Sequence, residues 1–283
     1  MSIKLISELR AQSGQGLKDC KAMIQAAIDS LGETASEQEI ITKAFELLQK
    51  NSGTKVEKKA GRTANQGLLL SGYRDQYALI LELNCETDFV ARNDLFKDFA
   101  NDLLELALTN HPLTQAEFLA IATDNGLNVG EAVNSMIATI GENIKVGNFV
   151  GKTSDSAFIT YNHGGRLVVL VEYIGNADSA KDIALHIAAN NPVAIDEASI
   201  CKDLLAKERS LYQEQAKDSG KPEEVQNKII EGRLKKFVAE VTLLGQNFVK
   251  DDEITVAEYL NKNATTIISF QRVALGEAAS IEV

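Results

Sequence analysis

The sequence predicts an α+β protein: an N-terminal three-helix module, a core of two related subdomains built from small antiparallel sheets and helices, and an inserted helical hairpin. Three observations predict it. Apolar residues recur at helical spacing before residue 54, a strand-turn-strand-helix pattern occurs twice in the middle, and a Lys-, Glu- and Gln-rich stretch with few strand formers lies between residues 197 and 244.

In the first module, Ile3, Ile6 and Leu9 share one helical face, and Leu17, Met23, Ile24 and Ile28 share another. Gly14-Gln15-Gly16 breaks the chain between them. A third helix begins at Ser36. Ser36 and Glu39 form a Ser-x-x-Glu capping box, and Ile40, Ala44, Leu47 and Leu48 supply the buried stripe.

Strands follow at 66–71 and 77–84, joined by Gly72-Tyr73-Arg74-Asp75-Gln76, and a helix starts near Asp94 with Leu95, Phe96, Phe99 and Leu103 at helical spacing. The same order returns with strands at 157–161 and 166–173, a turn at Asn162-His163-Gly164-Gly165, and a helix from Asp178 through His186. Glu82 and Glu172 occupy matching places in the two inner strands. Twelve residues separate Glu82 from Asp94, but six separate Glu172 from Asp178. The excess falls on the segment from Cys85 to Asn93, as expected where a duplicated scaffold has gained a functional loop.

In the hairpin, Leu204, Leu205 and Leu211 of the first arm are expected to meet Val225, Ile229, Leu234 and Phe237 of the second, in a coiled-coil-like pair. Ile267 to Leu275 then supplies a strand that completes the second sheet. The expected division is 1–54, 55–145, 146–196 with 245–283, and 197–244 for the hairpin.

Composition narrows the function. With 45% apolar and 24% charged residues among 283, the chain is expected to fold as an ordinary globular protein. No apolar run approaches the ~20 residues of a membrane span, and Met1-Ser2-Ile3-Lys4 leads into an amphipathic pattern without a signal-peptide core. Cys20, Cys85 and Cys201 fit neither a disulfide framework nor a Cys-x-x-Cys site. A cytoplasmic setting is expected. A net charge of −11 disfavours nucleic acid as a direct partner, and no membrane partner is expected. The local basic cluster of Lys55, Lys58, Lys59 and Arg62 reads either as a solvated linker or as a docking surface for an acidic partner face.

Enzyme motifs are weak. Gly147-Asn148-Phe149-Val150-Gly151-Lys152-Thr153 is one residue short of a phosphate-binding loop, and a strand rather than a helix is expected to follow it. His111, His163 and His186 show no metal-ligand spacing, and His186 reads as a satisfied or half-buried helix residue. No catalytic residue, metal or cofactor is expected. The segment that stands out is Asn84-Cys85-Glu86-Thr87-Asp88-Phe89-Val90-Ala91-Arg92-Asn93, a polar connection between a buried strand and a helix, with a carboxylate beside an aromatic. From these residues alone, Phe89 is either a loop anchor turned inward, with Asp88 solvated, or a presented binding group.

Thr87-Asp88-Phe89-Val90 resembles the signature of the bacterial elongation factor Ts family, nucleotide exchange factors of elongation factor Tu. Further segments resemble the family in its order: Leu9-Arg10 with Ser13-Gly14-Gln15-Gly16 and Asp19-Cys20-Lys21, Ile140-Gly141-Glu142-Asn143-Ile144, His163-Gly164-Gly165-Arg166-Leu167, Ser219-Gly220-Lys221-Pro222, and Glu231 through Phe237.

The resemblance implies that the first module is a UBA-like bundle that packs on elongation factor Tu, with Leu17 and Lys18 as its contact surface. It implies that Phe89 enters an apolar pocket of the partner while Asp88 perturbs the magnesium-bound network, with Thr87 and Val90 holding the loop. Ile140 and Gly141 are implied as further core contacts, and His163 as reaching the partner's phosphate-binding region. The implied function is guanine nucleotide exchange on elongation factor Tu in its GDP-bound, nucleotide-free and GTP forms; the alternative is a non-catalytic docking or adaptor protein. Two departures stand out. The segment from Asp29 to Gln38 is longer than the family's usual turn, and the sequence ends at Val283, before a further helix that many members carry, so its partner contact is expected to be missing.

Overall fold

The computed structural model describes residues 3–13, 15–32, 35–57, 59, 61–217 and 222–277; of residues 49 and 51–57 it describes the backbone. Gly14 of the first break, Ser219, Gly220 and Lys221 of the hairpin turn, and the side chains of Lys55 and Lys58 lie outside the described residues. By contacts the chain divides into two compact units, residues 1–68 with 81–149 and residues 69–80 with 150–283.

The first unit opens with three helices, α1 (Ile3–Ser13), α2 (Leu17–Leu31) and α3 (Glu37–Glu57). Leu9, Cys20, Ile24, Ile41 and Ala44 converge in a buried cluster between them. The expected capping box is present: Glu39 Oε2 accepts from the Ser36 amide at 2.8 Å, and the Glu39 amide donates to Ser36 Oγ at 3.3 Å. Gly32, at φ 86°, closes α2, and α2 packs along α3.

β1 (Gln66–Arg74) and β2 (Tyr77–Cys85) form the first hairpin. β1 runs three residues further than the predicted strand, because Asp75 adopts φ 53° and a two-residue turn suffices. β2 is buried along its whole length, as a central strand of apolar residues should be. Next come α4 (Asp88–Arg92), α5 (Asp94–Asn110), α6 (Gln115–Ala120), α7 (Val129–Ile140) and β3 (Lys145–Thr153). β1, β2 and β3 make a three-stranded sheet in that order.

β3 contains the seven residues that come close to a phosphate-loop motif. They are extended strand, not an anion-cradling turn. Gly147 is required for packing: a Cβ there would lie 2.3 Å from Asn84 Oδ1.

The second unit carries β4 (Ala157–His163), β5 (Leu167–Ile174) and α8 (Ala177–Asn190), the return of the hairpin-and-helix pattern. After α9 (Lys202–Lys217) and α10 (Glu223–Val241) come the short ribbon β6 (Asn247–Phe248) and β7 (Asp251–Thr255), then α11 (Val256–Lys262) and β8 (Thr266–Ala274). β8 pairs antiparallel with β5 and completes the sheet β4-β5-β8, as expected for that segment. α8 covers the sheet, burying Ile183, Ala184 and Ile187 against Val169, Val171 and Phe270.

The two matching glutamates are both buried inside polar networks. Glu82 accepts from Asn84 Nδ2 at 2.7 Å and from the Asn148 amide at 3.2 Å. Glu172 accepts from Ser269 Oγ at 2.8 Å and pairs with Lys152 at 2.9 Å. Burial pushes the Glu172 carboxyl up, but the donors Ser154, Lys152 and Ser269 outweigh it and hold the group below the usual carboxylate range.

The hairpin pairs α9 with α10 through a seam that keeps Leu234 of the predicted set but not Leu211 or Val225. Leu211 and Val225 are exposed, and the buried contact is made by Tyr212, Ala216, Ile230 and Leu234. Tyr212 and Ala216, four apart, share a helical face, and the Arg233 guanidinium lies 5.8 Å from the Tyr212 ring centroid.

Candidate functional site

Thr87, Asp88, Phe89 and Val90 do not form an irregular loop. Thr87 is the N-cap of the single turn α4, with extended backbone (φ −125°, ψ 155°), and its hydroxyl accepts from the Val90 amide at 3.4 Å. Asp88, Phe89 and Val90 are the first residues of that turn. A Thr followed by residues free to enter the helical region is a sufficient local signal for it.

Phe89 is 83% exposed, which excludes the inward-anchor reading. Ala91 is the buried residue of α4, so the turn rests on a small side chain and presents its aromatic to solvent. Asp88 is ion-paired with Arg92 at 3.1 Å along the same turn. Cys85, fully buried beneath the segment, donates its S–H to the Thr87 carbonyl at 3.1 Å. Burial, reinforced by the Glu142 charge, pushes this thiol up to about 11, so it remains a protonated donor at neutral pH.

The segment is fastened from 55 residues away. Glu142 Oε2 accepts from the amides of Glu86 (3.1 Å) and Thr87 (3.0 Å), and Oε1 accepts from Thr87 Oγ1 at 2.7 Å. The tie is reciprocal, since the Asn143 amide donates to Glu86 Oε1 at 2.6 Å. Arg62 pairs with Glu86 at 3.6 Å, and its carbonyl accepts from Asn143 Nδ2 at 2.8 Å. Arg62 of the basic cluster is thus engaged in holding this network.

Glu142 follows Ile140, the last residue of α7, and Gly141, whose φ of 92° closes that helix. The structure therefore brings Ile140 and Gly141 beside Thr87: Ile140 is half-buried and Gly141 exposed. On the C-terminal half of the same helix, Gln15, 3% exposed, donates from Nε2 to the Ser135 carbonyl at 3.3 Å and to Thr139 Oγ1 at 3.1 Å. Gln15 sits just before Leu17 and Lys18, which open α2 and are both exposed, Leu17 at 61%. His163 belongs to the second unit, exposed at the end of β4, with Nδ1 3.2 Å from the Tyr161 hydroxyl.

Sequence reasoning assigned no role to Glu142, Glu86, Asn143 or Gln15. Their signal is a long-range contact, which no local periodicity carries. Glu142 and Asn143 stood in a quoted motif, beside Gly141, without a role. Among the described residues no group of three or more His, Cys, Asp or Glu is placed to hold a metal ion, and no helix is long and apolar enough to cross a membrane.

The sequence matches the protein family described as Elongation factor TS over residues 86–277. It is 40% identical to the elongation factor Ts of Methylococcus capsulatus, over 98% of this chain and 93% of that relative. The corresponding protein of Thioalkalivibrio sulfidiphilus is 38% identical over 98% and 92%. That of Chromobacterium violaceum is 35% identical over 100% and 94%.

Proposed function

The chain belongs to the elongation factor Ts family, and from that membership we propose that it is the guanine nucleotide exchange factor of elongation factor Tu, acting through Phe89 on α4. It binds the GDP-loaded partner, displaces Mg²⁺ and GDP, and leaves when GTP enters. The chain performs no covalent chemistry. Its task is to change another protein's affinity for a nucleotide, and linkage then requires that nucleotide weaken its own binding by the same factor. The ternary complex is transient for that reason.

The observation that supports this reading is the 83% exposure of Phe89 on a turn held by charge-assisted hydrogen bonds. An exposed aromatic on a braced turn is a wedge: entering an apolar pocket, it gains about 1.5–3 kcal/mol from burial. Beside it, Asp88 brings a carboxylate to the magnesium-bound network. Its pair with Arg92 is solvent-exposed and weak, so it releases Asp88 at little cost. Leu17 and Lys18, on the UBA-like module, anchor the partner; Ile140 and Gly141 extend the contact beside α4; and His163 reaches the phosphate-binding region from the second unit.

A ten-thousandfold acceleration corresponds to about 5.5 kcal/mol, more than one phenylalanine supplies. Several contacts act together. The test is to mix the chain with elongation factor Tu carrying fluorescent GDP and excess unlabelled nucleotide. Accelerated release supports exchange; complex formation with release at the intrinsic rate would leave a docking protein.

A further inference from the structure

We infer that Glu142 is a positioning residue for exchange: its carboxylate holds the Thr87–Val90 turn against the end of α7, so that Phe89 and the Ile140-Gly141 surface meet the partner as one rigid body. This rests on the reading that Phe89 acts in nucleotide release.

α4 has five residues, too few for a helix to persist by itself. Its aromatic is exposed, and its apolar support is slight: Ala91 is buried and Val90 half-buried. What remains is polar. One carboxylate takes three donors from two consecutive residues, the Glu86 and Thr87 amides and the Thr87 hydroxyl, at 2.7–3.1 Å. These donors lie immediately before the turn and set the direction in which it leaves β2. The return bond from the Asn143 amide to Glu86 closes a two-carboxylate clasp.

The direction of Glu142 is fixed in turn by Gly141, which closes α7 in the left-handed region, and α7 is tied to the first module by Gln15. A wedge acts on its partner only if it does not yield itself. Preorganisation of this kind leaves ground-state binding nearly intact and is expressed where the partner is distorted.

The experiment uses the full chain with Glu142→Ala and Glu142→Gln, following fluorescent GDP release from elongation factor Tu against factor concentration. Amide hydrogen exchange is measured in the free chain. The expected result for Glu142→Ala is a saturating release rate about tenfold lower, with the half-saturating concentration within about threefold of wild type, and Glu86 and Thr87 amides exchanging about tenfold faster; tenfold is the scale of one charge-assisted hydrogen bond. Glu142→Gln, which keeps an acceptor for the amides, recovers part of both effects.

A merely structural role would lower the active fraction, which raises the half-saturating concentration and leaves the saturating rate alone; that result overturns the proposal. So does unchanged protection at Thr87. If Glu142→Ala does not fold, Glu142→Gln decides by the same saturating rate, and a wild-type value overturns the proposal. If the wild-type chain fails to accelerate release, the exchange reading fails, while amide protection at Thr87 still upholds or overturns the clasp.

Discussion

Phe89 and His186 show the same chain spending aromatic side chains in opposite ways. Phe89 is left in water. His186 is fully buried, accepting from the Val249 amide through Nδ1 at 3.1 Å and facing Gln246 Oε1 through Nε2 at 2.9 Å. That pattern fixes the neutral tautomer with its proton on Nε2. Burial holds the imidazole below its ordinary value, more strongly than Gln246 raises it. The unfolded chain therefore takes up a proton at a higher pH than the folded one does. Stability present above about pH 6.5 is lost as the pH falls below it. Urea midpoints between pH 7.5 and pH 5 are expected to fall for wild type relative to His186→Gln; parallel curves would contradict this. Arg92→Ala removes only the exposed pair with Asp88, and release is expected to change by less than about fivefold.

Among elements, those that bury a continuous face were legible in the sequence. β2 and β5 are apolar runs, α5 has a regular stripe, and the Ser36–Glu39 box announced α3. α7 and β3 were not. Val129–Ile140 is interrupted by small and polar residues, and Lys145–Thr153 lacks alternation because its residues are mostly half-buried. α4 is too short for any period to show. The site divides similarly: Phe89 stood out locally, whereas the Glu142 clasp joins residues 55 apart. The hairpin, with its small seam, is expected to open as a local unit. Leu234→Ala should cost about 2 kcal/mol and speed amide exchange in α9 and α10 while leaving β5 and β8 protected. Faster exchange throughout would show that the hairpin does not open independently. On α2, Leu17→Ala is expected to raise the half-saturating factor concentration by about tenfold, the loss of one leucine contact, without lowering the saturating rate. A fall in that rate would contradict the anchoring role.

At the scale of the whole molecule, exchange needs affinity and distortion from different places. In the proposed reading the anchors Leu17 and Lys18 lie on α2 and the wedge on α4, and the C-terminal end of α7 joins the two, Thr139 bonding Gln15 and the following Glu142 bonding Thr87. A net charge of −11 suits a chain whose partner is a protein rather than a phosphate backbone. Because nucleotide and factor weaken each other equally, tighter anchoring alone would not speed the cycle. Only contacts that differ between the nucleotide-bound and nucleotide-free partner do so.

In the proposed exchange Phe89 distorts the partner rather than anchoring it. The measurement is the Phe89→Ala variant compared with wild type in two quantities: saturating GDP release from elongation factor Tu, and affinity for the nucleotide-free partner. A large loss in release with a much smaller loss in affinity is expected. Equal losses in both would contradict it, and Phe89 would then be one more anchoring contact.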